Sequence, residues 1–514
     1  MPRPTIKVAP VGNIDRRHLV NLGNSIDVLS RENLQVVGVK QEDRHVKKCS
    51  GSDRYNTTSV GSYRVNSMFR YYGLNSRKNF FFSGGRVYFI DENGNTTEVL
   101  SLFDVNAYPT FVEMQVSSAY MLYFMEGIST GMYSHDGNMS NVFQRETAVT
   151  LNLVDAVSWL DRMVGFEEDS EDLYLSKNLD PTNFTDSTDA VVITIGAKRG
   201  SKLQKVLVGA DDNLYIFKTD STWVLEGKTP SEFRVREINP NLGLAARRSL
   251  KVVNNGMIGL MSDYEVYSFD GQNFKLLTYK VSLSGDFTVD LNPIINRDRM
   301  EQVCATYHNF IYRMSFVENG QIENDMEYCF NTINETEFFT RGNKVASYLV
   351  YDRVPDKGEL VTGRSDAGRL MKQYHGLNYD NQASGATMSV KTKTKFISAN
   401  GGRNFRVRKV WLNSGVLGAR PVPIRTYIDA RNATSDSTSE EMTVYGEYKN
   451  PITLIKIASQ DALTSRQIPR HANAKGQNVA FEIAETIADF NMEFSSIECS
   501  IITKEEKRTS LFGN

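Results

Sequence analysis

The stretch DNLYIFKTDSTWVLEG, residues 212–227, sets large apolar side chains on either side of a short polar break. Leu214 to Lys218 reads as one strand, and Thr222 to Leu225 as a second, joined by a two- or three-residue turn. A near-echo, NGMIGLMSDYEVYSFDGQNF, follows at 255–274. Here the strand period places Tyr264, Val266 and Ser268 on one face, and Glu265, Tyr267 and Phe269 on the other. Both faces are then partly apolar. A lone hairpin cannot bury two such faces, so each needs a neighbour on either side.

Outward from this stretch, similar segments begin at Asn79, Phe111, Val154, Leu203, Ala246, Met300 and Val345, about 44 residues apart on average. Four-stranded propeller blades repeat at roughly 40 to 50 residues. Each segment runs apolar strand, Gly/Asp/Asn turn, alternating aromatic strand, polar turn. The expected fold is all-β, with a six- or seven-bladed β-propeller over residues 56–380. A pair of ordinary β-sandwiches with coincidental spacing is the alternative. At NYDNQASGATMSV (378–390) the pattern turns small and polar, which marks residues 381–390 as a linker. Beyond it, SVKTKTKFIS, FRVRKVWLNSG, VPIRTYIDA, EEMTVYGEY, NVAFEIAE and MEFSSIECSII predict a C-terminal β-sandwich over 391–514. Residues 1–55 are charged and weakly periodic, and read as an extended arm that orders against another part.

Composition agrees with a β-rich globular chain: 40% hydrophobic, 23% charged, and 11% aromatic with 24 Tyr and 27 Phe. The longest apolar-rich run, EMQVSSAYMLYFMEG, falls short of the roughly 18 residues of a membrane span, so no membrane insertion is expected. The N-terminus, MPRPTIKVAPVGNIDRRHLV, has no apolar leader core. The scattered Cys49, Cys304, Cys329 and Cys499 suit free buried thiols in a reducing compartment better than a disulfide framework. A formal net charge of -2 excludes a chain that binds nucleic acid or membrane through bulk charge alone. The residues from Lys391 onward are more basic than the rest.

Chemistry-bearing patterns are sparse. The six histidines, His18, His45, His135, His308, His375 and His471, form no close pair. Cys304, His308 and Cys329 lack a metal-ligand spacing, and read as core cysteines beside a surface histidine. FSGGRVY (82–88) precedes a strand, so it is a hairpin turn and not a phosphate loop. KTDSTWVLE approaches the Asp box of sialidases through Asp220, Thr222 and Trp223, but it lacks the glycine and does not recur. GFEEDSEDLYLS clusters Glu167, Glu168, Asp169, Glu171 and Asp172. A glycosidase needs one carboxylate pair at a set separation, and five together on a turn read as a solvated loop without the spaced pattern of a calcium site. No catalytic residue, metal or cofactor is expected. A WD40-type scaffold would want recurring Trp-Asp ends, and the chain has only three tryptophans.

Several stretches, in order, resemble the tail hub or nozzle proteins of short-tailed bacteriophages. SKNLDPTNFTDSTDAVVITIGAKRG leads into LVGADDNLYIFKTDSTWVLEGKTPSEFRVREINPNLGLAARRSL, and then into NNGMIGLMSDYEVYSFDGQNFKLLT. The order Asp180-Pro181, Tyr215, Trp223, Gly243, Arg248-Ser249, Gly256, Tyr267 and Asp270-Gly271 carries the resemblance, over roughly Leu173 to Leu277. The Pro-Gly turn that often opens the first blade in that family is absent, and KKCSGSDRYNTT stands in its place. The resemblance implies a non-enzymatic virion component, assembled in the host cytoplasm. Its copies would form a sixfold ring below the portal and adaptor proteins, continue the DNA channel, and anchor tail fibres, a spike or a plug. A conduit guides DNA by transient phosphate contacts without gripping it. Arg403, Arg406, Arg408 and Lys409 in GGRNFRVRKVWL are the candidates for a channel or subunit contact, against a plain solvated strand. The competing function is a propeller that binds or cleaves glycans, such as a tail depolymerase.

Overall fold

The computed structural model of the chain describes residues 5–8, 21–22, 28–40, 43–73, 77–101, 103–116, 119–127, 131–138, 141, 143–196, 200–254, 256–278, 291, 294–350, 358–375, 379, 388–394, 397–398, 405–417, 421–428, 439–445, 465–466, 475–476, 478–487 and 492–503. Nearly every regular element among them is a β-strand.

The 212–227 stretch forms strands Leu214–Lys218 and Thr222–Glu226, the central pair of a four-stranded antiparallel sheet. Its side chains alternate as a pleat requires. Leu214 and Ile216 pack with Val164, Phe166 and Leu173 of the sheet before. Tyr215 and Phe217 pack with Met257, Met261 and Phe269 of the sheet after. Burial on both faces is why the strand reads as apolar without a polar side. The echo differs in one detail. Its strand is Val266–Phe269, while Tyr264 sits in a left-handed turn at φ 64°. The expected alternation therefore holds only from Val266 onward.

Six separate four-stranded sheets are present among the described residues. Sheets I to V span 65–100, 110–145, 153–194, 203–239 and 251–276. Sheet VI is the antiparallel set Cys304–His308, Ile311–Val317, Asn324–Asn331 and Thr336–Arg341, which lies at the end of an 11-stranded sheet. Sheet VII joins Val345–Val350, Leu360–Arg364 and Leu370–Gln373 to an outer strand, Ser52–Arg54, from far earlier in the chain.

The first strands of these sheets start at Val65, Thr110, Leu153, Leu203, Lys251, Cys304 and Val345. Six of the seven fall close to the starts expected from sequence. Sheet I begins earlier than Asn79, because its inner strand Val65–Tyr71 carries Asn66, Ser67 and Arg70 and hides the apolar alternation. Each first strand touches its neighbour's, with the short helical turn Arg247–Ser249 bridging sheets IV and V, and Val345–Val350 returns to Val65–Tyr71. At that closure the Ser347 hydroxyl donates to the Val65 carbonyl at 2.6 Å. The ring is a β-propeller.

The interfaces follow from the pleat. In Lys78–Ser83, Phe80 and Phe82 face sheet II with Phe111, Leu122 and Phe124, while Phe81 faces sheet VII with Leu349 and Val361. Between sheets VI and VII the contact is polar. The buried Glu327 carboxylate accepts from Tyr348, Thr340 and Asn343 at 2.6, 2.6 and 2.9 Å. Gly84 and Gly85, at φ 58° and 73°, form the tight turn after Ser83 that matches the twist of the flanking strands.

The C-terminal strands lie in two sheets. Phe405–Leu417 pairs along its length with Met492–Thr503. Met388–Thr394, Asn478–Ile487, Pro421–Ile428 and Ser439–Tyr445 continue the 11-stranded sheet. The N-terminal segment, read as an arm, supplies strands to both. Thr5–Val8 and the hairpin Leu34–Val37 with His45–Lys48 join Met492–Thr503. Val28–Glu32 is inserted between the Thr336–Arg341 strand of sheet VI and Met388–Thr394. Most of the linker expected at 381–390 lies outside the described residues; Met388 already begins a strand.

Candidate functional site: a charged central cavity

The first strands of the propeller line an open cavity of about 700 Å³. Its wall draws on all seven sheets, with Ser67, Thr110, Asp155, Lys205, Lys251, Cys304 and Ser347 each coming from a different one. Several of these inner-strand residues are polar and bond across to the next sheet, as Asp155 does to Lys205 and Ser347 to the Val65 carbonyl.

Charge in the cavity is largely paired. Lys205 Nζ lies 2.7 Å from Asp155 Oδ1, and the 1% exposed Asp155 also accepts the Val206 amide at 3.3 Å. Arg247 grips both oxygens of Glu168 through one nitrogen, at 2.9 and 3.2 Å. Arg248 donates Nη2 to the Ala346 carbonyl at 2.6 Å and stacks its guanidinium 4.8 Å from the Tyr108 ring centre. Glu126 accepts the Asp104 amide at 2.8 Å. Lys251 has no carboxylate partner among the described residues. Desolvation, and then the like charges of Lys205 and Arg248, lower its ammonium to about 8. Burial pushes the Cys304 thiol up to about 11, so it stays neutral.

Sequence reasoning does not find this cluster. Its one signal is the adjacent pair Arg247-Arg248 ahead of a strand, and Arg248 belongs to the ordered residues that carry the phage resemblance. Lys205 and Lys251 look like ordinary strand lysines, and only ring closure brings them together.

The residues singled out from sequence fall elsewhere. Arg403 lies outside the described residues. Arg406, Arg408 and Lys409 share the strand Phe405–Leu417. Arg406 is opposite Ile502 and Lys409 opposite Ser500, with a register shift between Val407 and Lys409 that places Arg408 at a bulge. The structure thus sets three of the four on one strand of a seven-stranded sheet.

Other sequence candidates have structural partners. Thr222 donates to the Leu242 carbonyl at 2.8 Å, and Trp223 Nε1 to the Ser221 hydroxyl at 3.0 Å. In the acidic cluster, Glu168 holds Arg247, and Glu171 reaches the fully buried Lys218 at 3.1 Å. The cluster spans the turn between strands Arg162–Glu167 and Asp172–Leu175, and two of its five carboxylates tie sheet III to sheet IV and to the helical turn beyond it. His308 is fully buried, not at the surface as expected, with Nε2 3.1 Å from the Gly358 carbonyl. Cys49, Cys304 and Cys329 are free and buried. Among the described residues no group of three or more His, Cys, Asp or Glu side chains is placed to hold a metal ion, and no helix is long and apolar enough to cross a membrane.

Asp270 and Ser249, two of the ordered motif residues, hold a turn and a sheet junction. Asp270 accepts the Gln272 and Asn273 amides at 2.9 and 2.6 Å. Ser249 accepts the Leu260 amide at 3.0 Å, and its carbonyl takes the Tyr312 hydroxyl at 2.7 Å.

Compared with protein-family models and with curated proteins, the chain matches none. Among solved structures it is similar to virginiamycin B lyase from Staphylococcus aureus, at 11% identity and TM-score 0.40, covering 62% of this chain and 97% of that one. A streptogramin B lyase aligns at 12% identity and TM-score 0.40, over 62% and 96% of the two chains. The WD40 propeller domain of Doa1 aligns at 11% identity and TM-score 0.39, over 63% and 96%. At these scores the likenesses say nothing about the chemistry of the chain.

Proposed function

We propose that the chain is a structural ring protein of a short-tailed phage tail, a nozzle or hub that continues the DNA channel below portal and adaptor. In this reading it is a seven-bladed propeller fused to a C-terminal β-sandwich. Six copies form the ring, with fibres, a spike or a plug at the far end, and the protein resides in the virion. It is not an enzyme and uses no cofactor.

One observation carries the reading beyond the motif order. The 11-stranded sheet runs from sheet VI through Val28–Glu32 into Met388–Thr394 and Asn478–Ile487. Propeller and C-terminal strands are thereby joined by backbone hydrogen bonds, where a flexible tether would suffice for a binding module. A ring subunit that must stay closed during DNA ejection benefits from such continuity, and closed β folds leave few free edges to fray.

Arg403, Arg406, Arg408 and Lys409 are proposed to lie at a subunit contact or the channel wall. Replacing Arg406 and Arg408 with Glu should impair ring assembly or DNA delivery; both unchanged would sink that placement. The competing depolymerase reading is tested by incubating the purified chain with bacterial surface polysaccharide. The nozzle reading expects no release of oligosaccharide. Sustained release would replace it.

A further inference from the structure

Two cationic side chains of the cavity at the propeller axis lack a carboxylate partner among the described residues. Arg248 spends Nη2 on the Ala346 carbonyl, but its Nη1 is buried and has no hydrogen-bond partner. Lys251, on the first strand of sheet V, lines the same cavity and has no carboxylate partner among the described residues. The other two cations of the wall are neutralised, Lys205 by Asp155 and Arg247 by Glu168. Of the remaining carboxylates, Glu126 is engaged by the Asp104 amide and Glu301 is exposed to solvent.

A buried guanidinium nitrogen without an acceptor is costly, and like charges held together in a partly desolvated wall add repulsion. Nothing in the fold of sheets IV and V demands this, since Lys205 shows that a carboxylate can be supplied where one is needed. The arrangement is offset if an anion brings oxygens to both groups. Arg offers a second N–H edge for a planar or tetrahedral oxyanion, and Lys a point charge beside it. The cavity is larger than a bare phosphate, and Phe69, Phe111 and Tyr348 provide apolar wall for the body of a ligand.

We propose that the central cavity is a binding site for a small oxyanion, carrying a phosphate or carboxylate group, held between Arg248 and Lys251. The site is independent of the ring reading, because it is built within one chain. Burial and the like charges of Lys205 and Arg248 lower the Lys251 ammonium, and a bound anion would oppose that by favouring its charged form.

The test uses the full chain with inorganic phosphate and, in a second arm, succinate, each against sodium chloride at matched ionic strength. Calorimetry should give saturable binding of one anion per chain in at least one arm, and the preferred arm identifies the head group. Arg248→Gln and Lys251→Met should each weaken binding at least tenfold, while Lys251→Arg retains it. Should a variant fail to fold, the Lys251 titration in the unaltered chain decides. Followed by NMR after reductive methylation, it should shift upward on saturation with the anion. No saturable binding in either arm, or equal binding by the variants, would overturn the site, as would a Lys251 titration that does not move.

Discussion

Asn33 shows how much one side chain can hold together. It is 1% exposed and sits at φ 54°, a backbone region that Asn tolerates better than most residues. Its amide nitrogen donates to the Arg341 and Ser389 carbonyls at 3.2 and 2.6 Å, and its oxygen accepts the Arg341 amide and the Tyr379 hydroxyl at 2.9 and 3.1 Å. Sheet VI, the N-terminal strands and the Met388–Thr394 strand thus meet at one amide. Asn33→Ala leaves several buried groups unpaired and should cost about 3 kcal/mol, at roughly 1 to 3 kcal/mol per stranded group with partial relaxation. Urea unfolding measures it; a loss below about 1 kcal/mol would show that the junction repacks.

Asp366 gives a pH signature at the same scale. Burial raises its pKa, but hydrogen bonds and charge from Arg364, then Lys344, outweigh that and lower it to about 2. The folded value lies below the unfolded one of about 3.9. Its contribution, about 2 kcal/mol, is therefore complete above about pH 4 and is lost as pH falls through about 2. Asp366→Asn should flatten the decline in stability between those values. An unchanged acid limb would mean that Arg364 and Lys344 are not its partners in solution.

At the scale of elements, the Phe80–Phe82 run divides its side chains between two interfaces, and Phe82 is fully buried. Phe82→Ala should cost about 3 to 5 kcal/mol, read from the thermal or denaturant midpoint. A cost under about 1 kcal/mol would contradict tight packing between sheets I and II. Gly243 serves another purpose: a Cβ there would press into the backbone of Lys218, Thr219 and Asp220, so its absence lets the chain pass close behind the 212–227 hairpin. Hairpins and C-terminal strands were legible because alternation and turn chemistry are local. Pro421–Ile428 and Ser439–Tyr445 match VPIRTYIDA and EEMTVYGEY to within a few residues. The turn at Leu160 and Asp161, with φ 51° and 57°, was not legible in type, since leucine gives no left-handed signal. The outer strand Ser52–Arg54 was also hidden, because it is short, polar and defined only by its distant partner. The cavity cluster was illegible for the same reason, as its members come from sheets III, IV and V and the turn between the last two.

At the scale of the whole molecule, the shared 11-stranded sheet makes propeller and C-terminal strands one mechanical unit. Calorimetry of the full chain should show a single cooperative transition in which both parts melt together. Two well-separated transitions would mean that the shared sheet does not couple them. The proposed role makes a sharper demand, that this unit builds a closed ring. The most direct test is the mass of the purified chain with negative-stain images, alone and with the portal–adaptor platform that the proposed role requires. Rings of about six copies with a central opening are expected, on the platform if not in isolation. A chain that stays monomeric in both conditions would contradict it.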